Sequence, residues 1–467
     1  MAPVITERSN GGNGHHRSLL TRHPQFIAMT VLLGSFAIFL ILCGLLTFTG
    51  YWFFFESGVD LKVNLQVSRG SIKVSYPEGG EPQLIESSAD IEGLATVRIN
   101  ETSQGYLTFI DNYSRQTIAT LYLLPNSIVT VRQSRRPRFD FSRNSYALYL
   151  TDVSGHVQVD LPANLDRNTN LRIGTAFGEA IFDQVGSYRL DVTDQQAEVY
   201  ALSGTALLRN IVNQTWQVPQ QQYGTLDRAM QKVEVQPLPY ILMNPRFGTK
   251  SDEWGATFPL YWGCYSYANS SQEPQGQTER LFADDGKAIL HMYRVAGDGD
   301  PDNLDNYTNP GLGHGETGCE YYMIRDVSQF KSLRVRARFK IHGQSLSTCG
   351  DVGTECPIMI ELTFKRNGLD ERDQVTVKSD VLRHGFYAKR PDNDNRRLNC
   401  DTCIQPHEKI MPDVWYIYDS GDLFLLLPPE RRPSELTSIH VYASGHAYDV
   451  MISDLEVTVG TIEPIVN

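Results

Sequence analysis

His156-Val157-Gln158-Val159-Asp160-Leu161 alternates polar and apolar side chains without a break. Successive side chains of an extended strand point to opposite faces, so Val157, Val159 and Leu161 are expected on a buried face. His156, Gln158 and Asp160 are then expected on a wet one. Short runs rich in β-branched and aromatic residues recur at 71–76, 95–99, 106–110, 117–123, 128–131, 146–150, 188–192 and 198–202. Gly, Asn, Asp or Pro separates them, as strand-breaking turns require. Many short strands without long helices predict an all-β architecture: barrel, sandwich or helical ladder. The best helical candidate here, residues 226–233, is one or two turns long.

One segment breaks the pattern. Residues 26–55 carry no charge, and 26–49 are dominated by Ile, Leu, Val, Phe and Ala. About 20 such residues in a helix cross a hydrocarbon core of roughly 30 Å. Tyr51 and Trp52 follow, where aromatic rings favour the headgroup zone. Arg8, Arg17 and Arg22 precede the segment with Glu7 the only acid, while Glu56, Asp60 and Lys62 come after it. Basic flanks stay in the cytoplasm, so residues 1–25 are expected to be a short, disordered inner tail and the bulk to be extracytoplasmic. A cleaved signal peptide would have a shorter apolar region ending in small residues. This one ends in Tyr51-Trp52-Phe53-Phe54-Phe55, which predicts an uncleaved signal-anchor.

Charge and cysteine usage agree with that compartment. The formal charge is −12, and removing the tail's three arginines and one glutamate leaves −14. Such a balance argues against nucleic acid, which needs a basic face. Of seven cysteines, Cys43 lies in the apolar segment. Cys264, Cys319, Cys349, Cys356, Cys400 and Cys403 form an even set in an exported region, which reads as disulfides. Local closure favours Cys349–Cys356 and Cys400–Cys403, leaving Cys264–Cys319. The competing reading is a four-thiolate zinc site from the two close pairs, against which stands the six-residue gap inside the first.

Some 400 residues beyond the membrane exceed one compact core, so two domains are expected, at 59–235 and 244–467, with a proline-stiffened linker at 236–243. Within the first, Gly178-Glu179-Ala180-Ile181-Phe182, Tyr188-Arg189-Leu190-Asp191-Val192, Val199 and Gly204-Thr205 resemble the central signature of bacterial FecR-type domains. The family has G-E-A-x-F, F-x-V and V-x-G-T there, and Tyr188 stands for the usual Phe. That resemblance implies an exported β-domain on a membrane-anchored protein. Family members known as regulators carry a folded cytoplasmic domain that holds a sigma factor; the tail here is too short to be one. The second domain opens with Asn244-Pro245-Arg246-Phe247, reaches Trp254 and closes with strands at 438–443 and 450–459. It is similar to galactose-binding-like jelly rolls of carbohydrate-binding proteins. Strands at 333–341, 358–365 and 422–427 fit a β-sandwich on pattern alone.

Candidate sites lie in this second half. Trp254, Tyr261, Trp262, Tyr265 and Tyr267 form an aromatic cluster, and flat rings with a polar handle stack on sugar faces. Trp415-Tyr416-Ile417-Tyr418 is a second run, in which strand alternation puts Trp415 and Ile417 on one face and both tyrosines on the other. The plain alternative for any of these rings is core packing. Asp298, Asp300, Asp302 and Asp305 bring four carboxylates close together, hard ligands that suit a structural Ca²⁺. The EF-hand template fails at Asn303 and Asn309, and a solvated acidic loop is the competing reading. Arg132, Arg135, Arg136, Arg138 and Arg143 make a basic run that suits carboxylate or phosphate partners, or else a solvated turn beside Pro137. No H-E-x-x-H, G-x-S-x-G or phosphate loop is present.

The expected protein is therefore a single-pass, non-catalytic envelope protein whose distal β-sandwich binds a polysaccharide or an envelope protein. One alternative is a carbohydrate-active enzyme on the jelly roll, with Glu361 facing Asp380 or Asp419. Another is a FecR-type signalling or scaffold protein with a docking tail.

Overall fold

The computed structural model describes residues 24–460, apart from 78, 228–232, 239–240, 244–246, 248–261, 283–286, 297–302, 304, 309–310, 370–374 and 391–395. Those residues fall into two compact units: the N-terminal helix up to Gly58 together with Pro137–Asn144, and all the rest.

The helix runs over Pro24–Tyr51 and ends in a wider turn at Trp52–Glu56. Gln25–Glu56 is long and apolar enough to cross a membrane. Its few hydroxyls are satisfied internally: Thr30, Thr47 and Thr49 donate to the carbonyls of Phe26, Cys43 and Leu45 at 2.7–2.8 Å. That is the arrangement hydrocarbon demands, since no water is there to take these donors.

The larger unit is built almost wholly of strands, with a few short helical turns. Strands of residues 58–237 close on themselves into a barrel, here the first lobe. Its hinge is the strand Tyr146–Leu161, sixteen residues long. The front half pairs with Ile128–Pro137 and Thr169–Thr175, the back half with Thr117–Leu123 and Gly186–Val192. Register shifts after Tyr149 and Thr151, with Asp152 at φ +55°, bend it between the two sheets. The runs expected at 146–150 and 157–161 are thus halves of one bent strand. Gly204, at φ +79°, is required twice over, because a β-carbon there would overlap the Tyr188 hydroxyl. That hydroxyl donates to Gln184 O at 2.9 Å, a bond a phenylalanine could not make. The helix expected at 226–233 is corrected: the strand Gln222–Asp227 takes its start, and 228–232 lie outside the described residues.

Two other expectations change for one reason: a partner makes burial of charge affordable. Asp160, assigned to the wet face, is 2% exposed. Ser187 Oγ donates to it at 2.6 Å, and Lys287 and Arg338 pair with it at 3.0 and 3.2 Å. Arg136, read as part of a solvated run, is buried against Asp111 at 2.9 Å.

The second lobe is a sandwich of two six-stranded sheets. One orders Gln277–Phe282, Ala288–Arg294, Tyr448–Val459, Leu333–Gln344 and Tyr416–Asp419, with Ile241–Met243 beside Tyr448–Val459. The other orders Trp262–Ala268, Gly315–Asp326, Glu435–Gly445, Ile358–Leu369, Val375–Tyr387 and Glu408–Lys409. Phe339, Phe364, Phe386, Leu436, Ile452 and Val457 fill the space between them. The strand expected at 422–427 is corrected to a helical turn, Leu423–Leu426. Asp422 caps it by accepting from Phe424 N, offering the backbone a local partner in place of a ladder. Three disulfides join Cys264–Cys319, Cys349–Cys356 and Cys400–Cys403.

Candidate polysaccharide-binding face

Alternation in the strands of the second sheet sorts Cys319, Ile439, Val441, Ile360 and Leu382 to the core. Tyr265, Tyr267, Glu316, Glu320, His440, Tyr442, Glu361 and Arg383 take the opposite, outer face. Pairing brings them side by side: Tyr267 is opposite Glu316, Glu320 opposite His440, and His440 opposite Glu361, which is opposite Arg383.

The side chains are locked to one another. Tyr265 Oη donates to Glu316 Oε1 at 2.5 Å and lies 3.0 Å from His440 Nε2. His440 stacks on Tyr442 with ring centres 4.5 Å apart, and its Nδ1 is 3.8 Å from Glu361. Arg383 Nε donates to Glu361 Oε2 at 2.5 Å. Gly318 sits under this cluster because a β-carbon would come within 2.6 Å of His440 Nε2 and of Tyr442 Cβ. Burial pushes the Tyr265 hydroxyl above its ordinary pKa and the Glu316 hydrogen bond adds to the shift, so the tyrosine stays a neutral donor. Burial also pushes the Glu361 carboxyl up, but His440 and Arg383 outweigh it and hold it below the usual range. Glu361 is therefore a carboxylate acceptor next to a guanidinium donor.

One end of the face is roofed. Cys349, Cys356 and Leu398 cover Met359 and Tyr442. The other end is open, with Tyr265 and Tyr267 37% and 42% exposed. Rings, paired donors and acceptors on a face open at one end suit a hydroxyl-rich ligand.

The structure places the remaining sequence candidates elsewhere. Trp262 is buried between Phe247 and Tyr321, at 5.6 and 5.7 Å. Tyr416 and Tyr418 are core, packed on Phe386. Trp415 lies beside the first lobe near Tyr122, Leu124 and Ile417, under Arg338 at 4.9 Å. The alternation read for this run holds, but it aims the rings at the core and at the first lobe instead of at a ligand. Trp254, Tyr261, Asp298, Asp300 and Asp302 lie outside the described residues. Asp305 is exposed at the start of the helical turn Asp305–Thr308. Among the described residues, Asp380 is tied to Arg366 and Asp419 to Arg336, so neither faces Glu361 as the enzyme reading needed. Both close cysteine pairs flank His407, but as disulfides they offer no thiolates. Glu316, His440 and Arg383 were missed. The usable signal was the period of two in the long strands 315–326 and 435–445, which alone puts glutamates, histidine and tyrosine on one face.

A cavity of about 680 Å³ separates the lobes, lined by Asp160, Arg189, Lys287, Arg338, Asp454 and Glu456. Lys287 and Arg338 pair with Asp160 and Asp454, and Arg189 with Asp191 at 3.3 Å; burial raises the Glu456 carboxyl above its ordinary pKa.

No family model matches the chain, and no curated protein does. Among solved structures it is similar to a Parabacteroides distasonis protein assigned as an anti-sigma factor, at 10% identity and a TM-score of 0.23. That match covers 31% of this chain and 60% of the other. It is also similar to a family 11 carbohydrate-binding module of Clostridium thermocellum, at 12% identity and TM-score 0.20, covering 46% and 95%. A CBM22-1 xylan-binding domain of Paenibacillus barcinonensis matches at 9% and 0.23, covering 48% and 97%.

Proposed function

We propose that this is a single-pass membrane protein, anchored by residues 26–55 with its tail in the cytoplasm, that binds polysaccharide without catalysis. The binding surface is the outer face of the sheet Trp262–Ala268 to Glu408–Lys409. The observation that carries this reading is the linked row Glu316, Tyr265, His440, Glu361 and Arg383 beside the open rings of Tyr265 and Tyr267. Vicinal hydroxyls find acceptors in the carboxylates and donors in the guanidinium, while the rings take the apolar sugar face. A polymer needs an accessible surface, and the Tyr265 and Tyr267 end of this face offers one.

Catalysis is the weaker reading on the same geometry. Glycoside hydrolysis needs one carboxyl kept protonated as the acid. Glu361 is held ionised by Arg383 and His440, the opposite tuning.

The test is affinity electrophoresis of the full chain in lipid nanodiscs through gels containing xylan, mixed-linkage glucan or an acidic polysaccharide. At least one should retard it. Tyr267→Ala and Arg383→Ala should each weaken that retardation about tenfold, or about 1.4 kcal/mol. Retention unchanged in both variants would place binding off this face. Trp262→Ala and Trp415→Ala are unsuitable probes, since Trp262 is buried and Trp415 packs against the first lobe.

A further inference from the structure

The loop Pro137–Asn144 carries Arg138-Phe139-Asp140-Phe141-Ser142-Arg143 and belongs to the same compact unit as the apolar helix. Phe139 stacks on Phe141 with centres 5.3 Å apart and planes 13° from parallel. Phe53 and Phe54 lie 5.6 and 5.4 Å from Phe139, and Phe55 lies 5.7 Å from Phe141. Three backbone anchors fix the loop there. Ser142 Oγ and Asn144 Nδ2 donate to Phe55 O at 3.1 and 2.9 Å, and Arg138 N donates to Ser57 O at 3.0 Å.

Five phenylalanines thus form one cluster, yet it is no core. Phe141 remains 59% exposed, and Phe53, Phe54 and Phe55 are more than 40% exposed. Apolar area left in water costs about 25 cal/mol per Å², so a fixed, exposed cluster of this kind calls for an apolar occupant. The occupant follows from continuity: three of the rings end the helix that is long and apolar enough to span a bilayer. The rim adds charge. Arg138 lies over the Phe53 ring at 5.3 Å, and Arg143 is exposed beside it.

We propose that Pro137–Asn144 is a second membrane-contacting element. Phe139 and Phe141 insert beside Phe53, Phe54 and Phe55 at the level where aromatic rings favour the interface, and Arg138 and Arg143 meet phospholipid phosphates. The loop thereby makes a one-helix anchor a two-point anchor. This rests on the helix spanning the membrane, and the experiment separates the two claims.

The full chain is reconstituted into vesicles of phosphatidylcholine brominated near the carbonyl end of its acyl chains. Bimane is attached at the native Cys43, the free thiol, or, in a Cys43→Ser background, at Phe141→Cys or Val377→Cys. Bromine should quench the label at 141 about twofold or more beyond the label at 377. Should Phe141→Cys fail to fold, Arg143→Cys carries the label instead. Quenching at Cys43 with none at 141 or 143 above that at 377 overturns the loop proposal alone. No quenching at Cys43 overturns the spanning helix and the loop proposal with it.

Discussion

His384 sits in the core of the second lobe, its ring 4.7 Å from Phe386 and 5.0 Å from Tyr418. Burial holds its pKa at about 4, with Glu408, 3.7 Å away, pulling only weakly the other way. A histidine in the unfolded chain titrates near 6.5. Between about pH 6.5 and 4 the unfolded state therefore binds a proton that the folded state refuses, so stability falls as pH drops through that window. The full loss is about 3 kcal/mol, and none of it is felt at pH 7. Denaturant melts at pH 7 and 4.5 should show a smaller acid loss in His384→Leu than in the parent, by roughly 2–3 kcal/mol. Equal losses would mean that His384 is not kept neutral by its surroundings. Single residues of this kind are where the sequence is least legible. Alternation located Val157, Val159 and Leu161 in the core, as the structure has them. It misplaced Asp160, because the cations that admit it, Lys287 and Arg338, arrive from more than a hundred residues away.

At the level of elements, the signals that read well were local. Cysteine spacing closed two short loops and left the third pair by elimination, and all three bonds are in the structure. Cys264 and Cys319 are also direct cross-strand partners. Residues 423–426 read poorly, since Leu-Phe-Leu-Leu suits a strand by composition, whereas the structure has a turn that buries only Leu423 and Phe424, and the deciding bond comes from the neighbouring Asp422 side chain. The three disulfides should differ in worth. Constraint of the unfolded chain grows with the loop closed, which spans 55, 7 and 3 residues for Cys264–Cys319, Cys349–Cys356 and Cys400–Cys403. The chain-entropy relation gives about 4, 2.5 and 1.5 kcal/mol. Replacing each pair by alanine and measuring denaturant midpoints should return that order. A larger loss from the Cys400–Cys403 pair would show that this bond holds native structure beyond the loop it closes.

Across the whole molecule, the position of the chain relative to a bilayer decides which surfaces meet a partner. The helix is long and apolar enough to anchor the chain, and the direction proposed for it rests on Arg8, Arg17 and Arg22 against Glu7 in the residues ahead of it. The cysteines bear on the same choice. Six thiols paired as disulfides persist in an oxidising compartment and would be reduced in a cytosol. Both arguments favour the β unit outside, which is the side the proposed polysaccharide binding requires. Cysteine placed at the exposed Val377 in a Cys43→Ser background should react with a membrane-impermeant maleimide on intact cells. Cysteine at Ser18 should react only after permeabilisation. The reverse pattern would put the β unit in the cytoplasm and overturn the proposed binding of an extracellular polysaccharide.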